Sequence, residues 1–116
     1  MITIATFREL CLSMPETTEV KHFDRQAFRT KRKIFATLLE AANTANFPFS
    51  PEEQAAWCKL APGVFCPVPG GWGLQGWTTV DLRKVKKSQL VDAVQSAWYN
   101  AAPPKLQEQY RMQNGL

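Results

Sequence analysis

GVFCPVPGGWGLQGWTTVDL, residues 63–82, is the stretch whose reading decides the fold. Val64 to Val68 reads as one strand and Trp77 to Leu82 as a second, joined by the turn-rich segment Pro69 to Gly76. Four glycines and two tryptophans lie between Pro69 and Trp77. Glycine takes positive φ without a Cβ clash, so this connection can bend sharply and hold its tip in solvent. Trp77, at the start of a strand, is expected to pack into the core. Trp72, inside the glycine turn, is open to either a packing or a contact role, with Gln75 beside it to offer an amide.

Immediately upstream, Ser50-Pro51-Glu52-Glu53 is a helix start. Serine caps, proline takes the first helical position, and the acids favour the positive end of the helix dipole. That helix is expected to run through Leu60 and to stop at Pro62-Gly63. Before it, Ala45 to Ser50 alternates Phe47 and Phe49 as a strand would, but Pro48 removes a ladder donor and points to an edge or irregular strand. Gln26 to Thr30 and Lys33 to Leu39 read as antiparallel strands around a tight basic turn. IFATLLEAAN could instead be helical, and the alternation before it favours the strand. At the N-terminus Phe7, Leu10, Cys11 and Met14 share one helical face, with Thr3 or Thr6 as cap and Pro15 as stop. Pro15 to Val20 reads as a polar connection. After the hairpin, Ser88 is placed to cap a helix from Gln89 to Asn100 with Leu90, Val94, Ala97 and Trp98 on its apolar stripe. Residues 103–116 read as a short terminal helix or a frayed tail.

The order is helix, strands, helix, hairpin, helix. Tight turns make the sheet mainly antiparallel, and the helices are expected on one face: an α+β, compact two-layer sandwich formed by a single domain over residues 1–116. The composition is that of an ordinary globular chain, with 45% hydrophobic and 21% charged residues. No apolar run approaches the ~20 residues of a membrane-spanning helix, and no basic region followed by an apolar run marks a secretory leader. No membrane partner is therefore expected. Cys11, Cys58 and Cys66 form no CxxC pair and His22 has no ligand cluster around it, so reduced thiols, a cytoplasmic location and no metal or cofactor are expected.

Net charge is +4, and its distribution matters more than its total. One block comprises Lys21, Arg25, Arg29, Lys31, Arg32 and Lys33; a second comprises Arg83, Lys84, Lys86 and Lys87. Lysine and arginine on a protruding turn neutralise phosphates and release counterions, giving salt-sensitive affinity without sequence choice. The same residues can simply solvate a sheet edge. His22 with Asp24, and the cysteines, lack the partners that catalysis needs, so a non-catalytic binding module rather than an enzyme is expected.

PGVFCPVPGGWGLQGWTTVDL closely resembles the signature hairpin of the MmcQ/YjbR family, a small bacterial family. FRELCLSMPETTEVKHF, RQAFRTKRKIFATL, SPEEQAAW and LVDAVQSAWYNAAPPKL extend the likeness over nearly the whole chain. The resemblance implies a CyaY-like sandwich with two projecting wings, likened to a double-wing DNA-binding motif. Pro48 and Leu74 stand where members often carry a basic residue. Carried onto this chain, the implied activity is weak, mostly non-specific nucleic-acid binding. Arg25, Arg29, Lys31, Arg32 and Lys33 would act from one wing, and Arg83, Lys84, Lys86 and Lys87 with the Trp72–Gln75 turn from the other. The alternatives are a protein or peptide adaptor using that turn or a sheet edge near Phe47-Pro48-Phe49, and a small-ligand pocket lined by Trp72, Trp77 and His22. A monomer is expected.

Overall fold

The computed structural model describes residues 1–115. One sheet of six strands runs through it in the order β1-β2-β3-β4-β6-β5, with every neighbouring pair antiparallel. The strands are β1 Thr18–His22, β2 Arg25–Arg29, β3 Ile34–Leu39, β4 Thr44–Pro48, β5 Phe65–Pro67 and β6 Trp77–Asp81. The helices are α1 Ile4–Leu12, α2 Pro51–Leu60, α3 Gly71–Leu74, α4 Lys87–Ala101 and α5 Pro104–Gln113. No helix among the described residues is long and apolar enough to cross a membrane.

Side chains alternate across a strand, so the register sorts the sheet into two faces. Phe28, Ala36, Leu38, Ala45, Phe47, Val80 and Phe65 occupy one face and are fully enclosed. They pack with Phe7 and Cys11 of α1 and with Leu90, Val94, Ala97 and Trp98 of α4. Ala27, Thr37, Asn46 and Thr79, paired in register across four strands, line the opposite face.

Local chemistry explains the elements. Thr3, rather than Thr6, caps α1: its Oγ1 accepts from the Thr6 N–H at 3.1 Å. Ser50 caps α2 in the same way, accepting from the Glu53 N–H at 3.1 Å. The aromatic rings of Phe47, Phe49, Trp57 and Phe65 stack in succession at 4.8–6.2 Å, fastening α2 to β4 and β5. Glu53 ties α2 to α4, since its carboxylate accepts from Trp57 Nε1 at 3.2 Å, Ser96 Oγ at 2.5 Å and Asn100 Nδ2 at 3.4 Å.

Four expectations change. Thr18–His22 is a strand, not a connection; it is an exposed edge, held by a bond from Arg8 Nε to Glu19 Oε1 at 3.0 Å that raises the arginine pKa. β4 is interior rather than an edge, because Pro48 is its last residue and so removes a donor only at the end of the ladder. In the segment Phe47-Pro48-Phe49, expected as a free sheet edge, Phe47 and Pro48 are paired with Thr78 and Trp77 of β6, while the pairing with β3 ends at Asn46. α4 begins at Lys87, before Ser88, with the Gln89 side chain accepting from the Lys86 N–H at 3.1 Å. The glycine connection contains α3. Of the two alternatives for the terminal segment, the helix is the one formed, as α5.

Candidate functional site

The two basic blocks do not meet. The first turns between β2 and β3 and packs at the C-terminal end of α4, where Arg32 Nη1 donates to the Asn100 carbonyl at 3.2 Å. Arg83, Lys84, Lys86 and Lys87 precede or open α4 at its other end. A helix of 15 residues is about 22 Å long, so its length separates them. Arg83 is engaged with Asp81, Nε to Oδ1 at 3.4 Å.

Thr30 organises the first block. Its hydroxyl is buried, donates to the Ala101 carbonyl at 2.9 Å, and accepts from the Arg32 and Lys33 N–H groups at 3.2 Å. One side chain thus shapes the turn and pins it to the last turn of α4. Replacing Thr30 by the isosteric Val leaves these backbone groups unpaired; we expect a loss of about 2 kcal/mol in urea unfolding.

Arg29, Arg32 and Lys33 line a cavity of about 420 Å³ with Pro48, Trp77 and Asn100, and among the described residues no carboxylate lines it. Glu53, behind Asn100, has both oxygens engaged. Lys31 lies apart, in a recess with Glu16 and Lys105. Arg25 lies apart too, at the base of the β1–β2 turn.

That turn borders a second cavity of about 390 Å³ on the open sheet face. Phe23, at the turn tip, is 85% exposed and has a positive φ of 59°, an outlying conformation for a bulky residue. Its ring meets His22 edge-on at 4.8 Å. Trp72 also lines this cavity, 63% exposed and nearly perpendicular to Trp77 at 6.2 Å. Thr37 and Asn46 also line it, with the Thr79 hydroxyl donating to Asn46 Oδ1 at 2.8 Å. Arg25 lines it as well, and its Nη1 is enclosed without a hydrogen-bond partner among the described residues.

Trp77 does not pack into the core as expected. It shares the open face with Thr79, because the enclosed positions of β6 are Thr78 and Val80, and it lines both cavities. Gln75 is exposed at the end of α3 and lines neither. Trp72 is set in place by groups that sequence reading missed: Gln54 Nε2 on α2 donates to the Gly73 and Trp77 carbonyls, each at 2.9 Å. Phe23 was also missed, since only its placement on the same cavity as Trp72 gives it significance. Cys66 is exposed, and burial pushes the Cys11 and Cys58 thiols upward, away from nucleophilic thiolate. No cluster of three metal-ligating side chains occurs among the described residues.

A family model described as YjbR matches residues 12–100. A Deinococcus radiodurans protein whose crystal structure carries a domain described as DUF419 superposes with a TM-score of 0.77 at 18% identity, covering 100% of this chain and 90% of that one. A Pseudomonas syringae protein superposes with a TM-score of 0.68 at 16% identity, covering 87% of this chain and 100% of that one. At these identities the structures share the fold. No curated protein matches the sequence.

Proposed function

This chain belongs to the YjbR family, and we propose that it is a non-catalytic binding module for nucleic acid, working through the β2–β3 turn. The observation that carries the reading is the convergence of Arg29, Arg32 and Lys33 on one cavity that no carboxylate of the described residues lines. Cations gathered in this way neutralise backbone phosphates and release counterions, which gives sequence-independent, salt-sensitive affinity. Part of this charge also serves the fold, since Arg32 caps an α4 carbonyl with one of its five donors. The remaining donors are free to meet phosphate. The block at the start of α4 is remote from this cavity and plays a lesser part. A double-wing grip by both blocks at once would have to bridge the length of α4.

The test is fluorescence anisotropy of a labelled DNA duplex across a salt series. Binding at low salt is expected, with log affinity falling linearly against log salt by about 0.9 for each phosphate neutralised. Changing Arg29, Arg32 and Lys33 together to Ala should flatten that slope by about 2 to 3 and weaken binding. Changing Arg83, Lys84, Lys86 and Lys87 to Ala should do much less. Absence of binding at low salt, or an equal loss from the second set, would defeat the proposal.

A further inference from the structure

We propose that the open-face cavity is a base-binding cleft, so that the module takes single-stranded nucleic acid with one unstacked base seated between Phe23 and Trp72. This rests on the phosphate-binding reading of the neighbouring cavity and specifies the form of nucleic acid that fits.

Three observations converge. The cleft is lined by two exposed aromatic rings from separate parts of the chain, one of them on a hairpin tip held at positive φ. Large aromatic side chains left in solvent along the cleft supply π-faces for a flat heteroaromatic ring, and every base offers one. The cleft also supplies donors. Arg25 Nη1 is enclosed and, among the described residues, unpartnered, and Asn46, its Oδ1 occupied by the Thr79 hydroxyl, retains its amide N–H groups. Enclosed donors without partners are rare in folded chains, and a turn of the Arg25 guanidinium toward a base carbonyl in the cleft would meet that need. Finally, Trp77 lines this cleft and the basic cavity alike, so an entering base leaves its own backbone beside Arg29, Arg32 and Lys33.

A duplex cannot make this contact. Its base faces are stacked on one another and hidden, whereas a single strand can splay a base out to stack on protein aromatics. Asp24, next to Phe23 in the turn, lines this cleft and does not line the basic cavity.

The test compares a labelled short oligothymidylate, the same strand annealed to its complement, and a strand of equal length carrying abasic sites. The single strand is expected to bind roughly 10-fold tighter than the duplex. The double variant Phe23→Ala, Trp72→Ala should abolish that difference and leave duplex binding unchanged, and the abasic strand should bind the native protein no better than duplex. Both side chains are exposed, so the variant should melt close to the parent. Equal affinity for single strand and duplex, a difference that persists in the double variant, or undiminished binding of the abasic strand would each overturn the base cleft while leaving the phosphate reading intact. Failure of both nucleic-acid forms to bind at low salt would overturn both.

Discussion

Gly76→Ala is expected to destabilise the protein by about 4 kcal/mol, lowering its melting temperature by roughly 15 °C. Two independent penalties meet at this residue. Its φ is +113°, a region that side chains avoid. A Cβ there would also lie 1.8 Å from the Phe49 carbonyl oxygen and 2.8 Å from its carbon. These obstacles are backbone atoms. Phe49 leads directly into the Ser50 cap of α2 and stacks on Phe47 and Trp57, so it cannot withdraw without loosening both. Two controls separate the penalties. Gly63→Ala has a positive φ of 79° with nothing within 4 Å of the added Cβ, and should lose about 1 kcal/mol. Gly73→Ala has no positive φ but meets the Val68 carbonyl oxygen at 1.7 Å, and should approach the Gly76 effect. Urea unfolding of the three variants is the measurement; similar losses at Gly63 and Gly76 would refute the steric account.

The same close approaches explain the functional geometry. Gly73 and Gly76 let the segment between β5 and β6 fold tightly against Val68 and Phe49, and Gln54 fastens it from α2. Trp72 is thereby held upright at the rim of the open face. The glycines that marked this stretch in the sequence do not make it loose. They allow backbone to touch backbone, and the bend they permit fixes where the tryptophan stands.

What was legible in the sequence was local. Ser50-Pro51-Glu52-Glu53 specifies a helix start through groups within one turn of each other, and the structure places the cap there. The β2 and β3 strands were visible through alternation and the basic turn between them. β1 was not, because TEVKH is an edge strand exposed along most of its length and has no buried face to write an apolar period into the sequence. Trp77 was misplaced for a related reason. Period-2 alternation sorts residues into two sets but does not say which set the helices cover, and hydrophobicity alone assigned Trp77 to the core. The site was less legible still. Arg29, Arg32 and Lys33 are neighbours in sequence, yet their cavity is completed by Pro48, Trp77 and Asn100 from three other elements. Thr37 and Asn46 reach the open face only through the β3–β4 register. The separation of the two basic blocks follows from the length of α4, which was readable, and from its packing against β3 and β4, which was not.

Trp98→Ala is the second large loss expected, again about 4 kcal/mol. Trp98 is fully buried on α4, its Nε1 donates to the Pro15 carbonyl at 3.0 Å, and its ring lies 5.0 Å from that of Tyr110 on α5. It therefore joins three parts of the chain: the exit of α1, the packed face of α4 and the terminal helix. Truncation to Ala removes the indole, opens a cavity and leaves the carbonyl without this donor. Trp98→Phe keeps most of the packing and loses the hydrogen bond, so about 1.5 kcal/mol is expected. The consequence for function is indirect and measurable. Ala97, Asn100 and Ala101, on the same last turn of α4, line the basic cavity, and the Ala101 carbonyl receives the Thr30 hydroxyl. If Trp98 anchors that turn, Trp98→Ala should speed amide exchange in α5 and at Arg32 and Lys33, whose N–H groups donate to Thr30, well below the melting temperature. Faster exchange confined to α5, with the basic turn unchanged, would show that Thr30 holds the turn without help from Trp98.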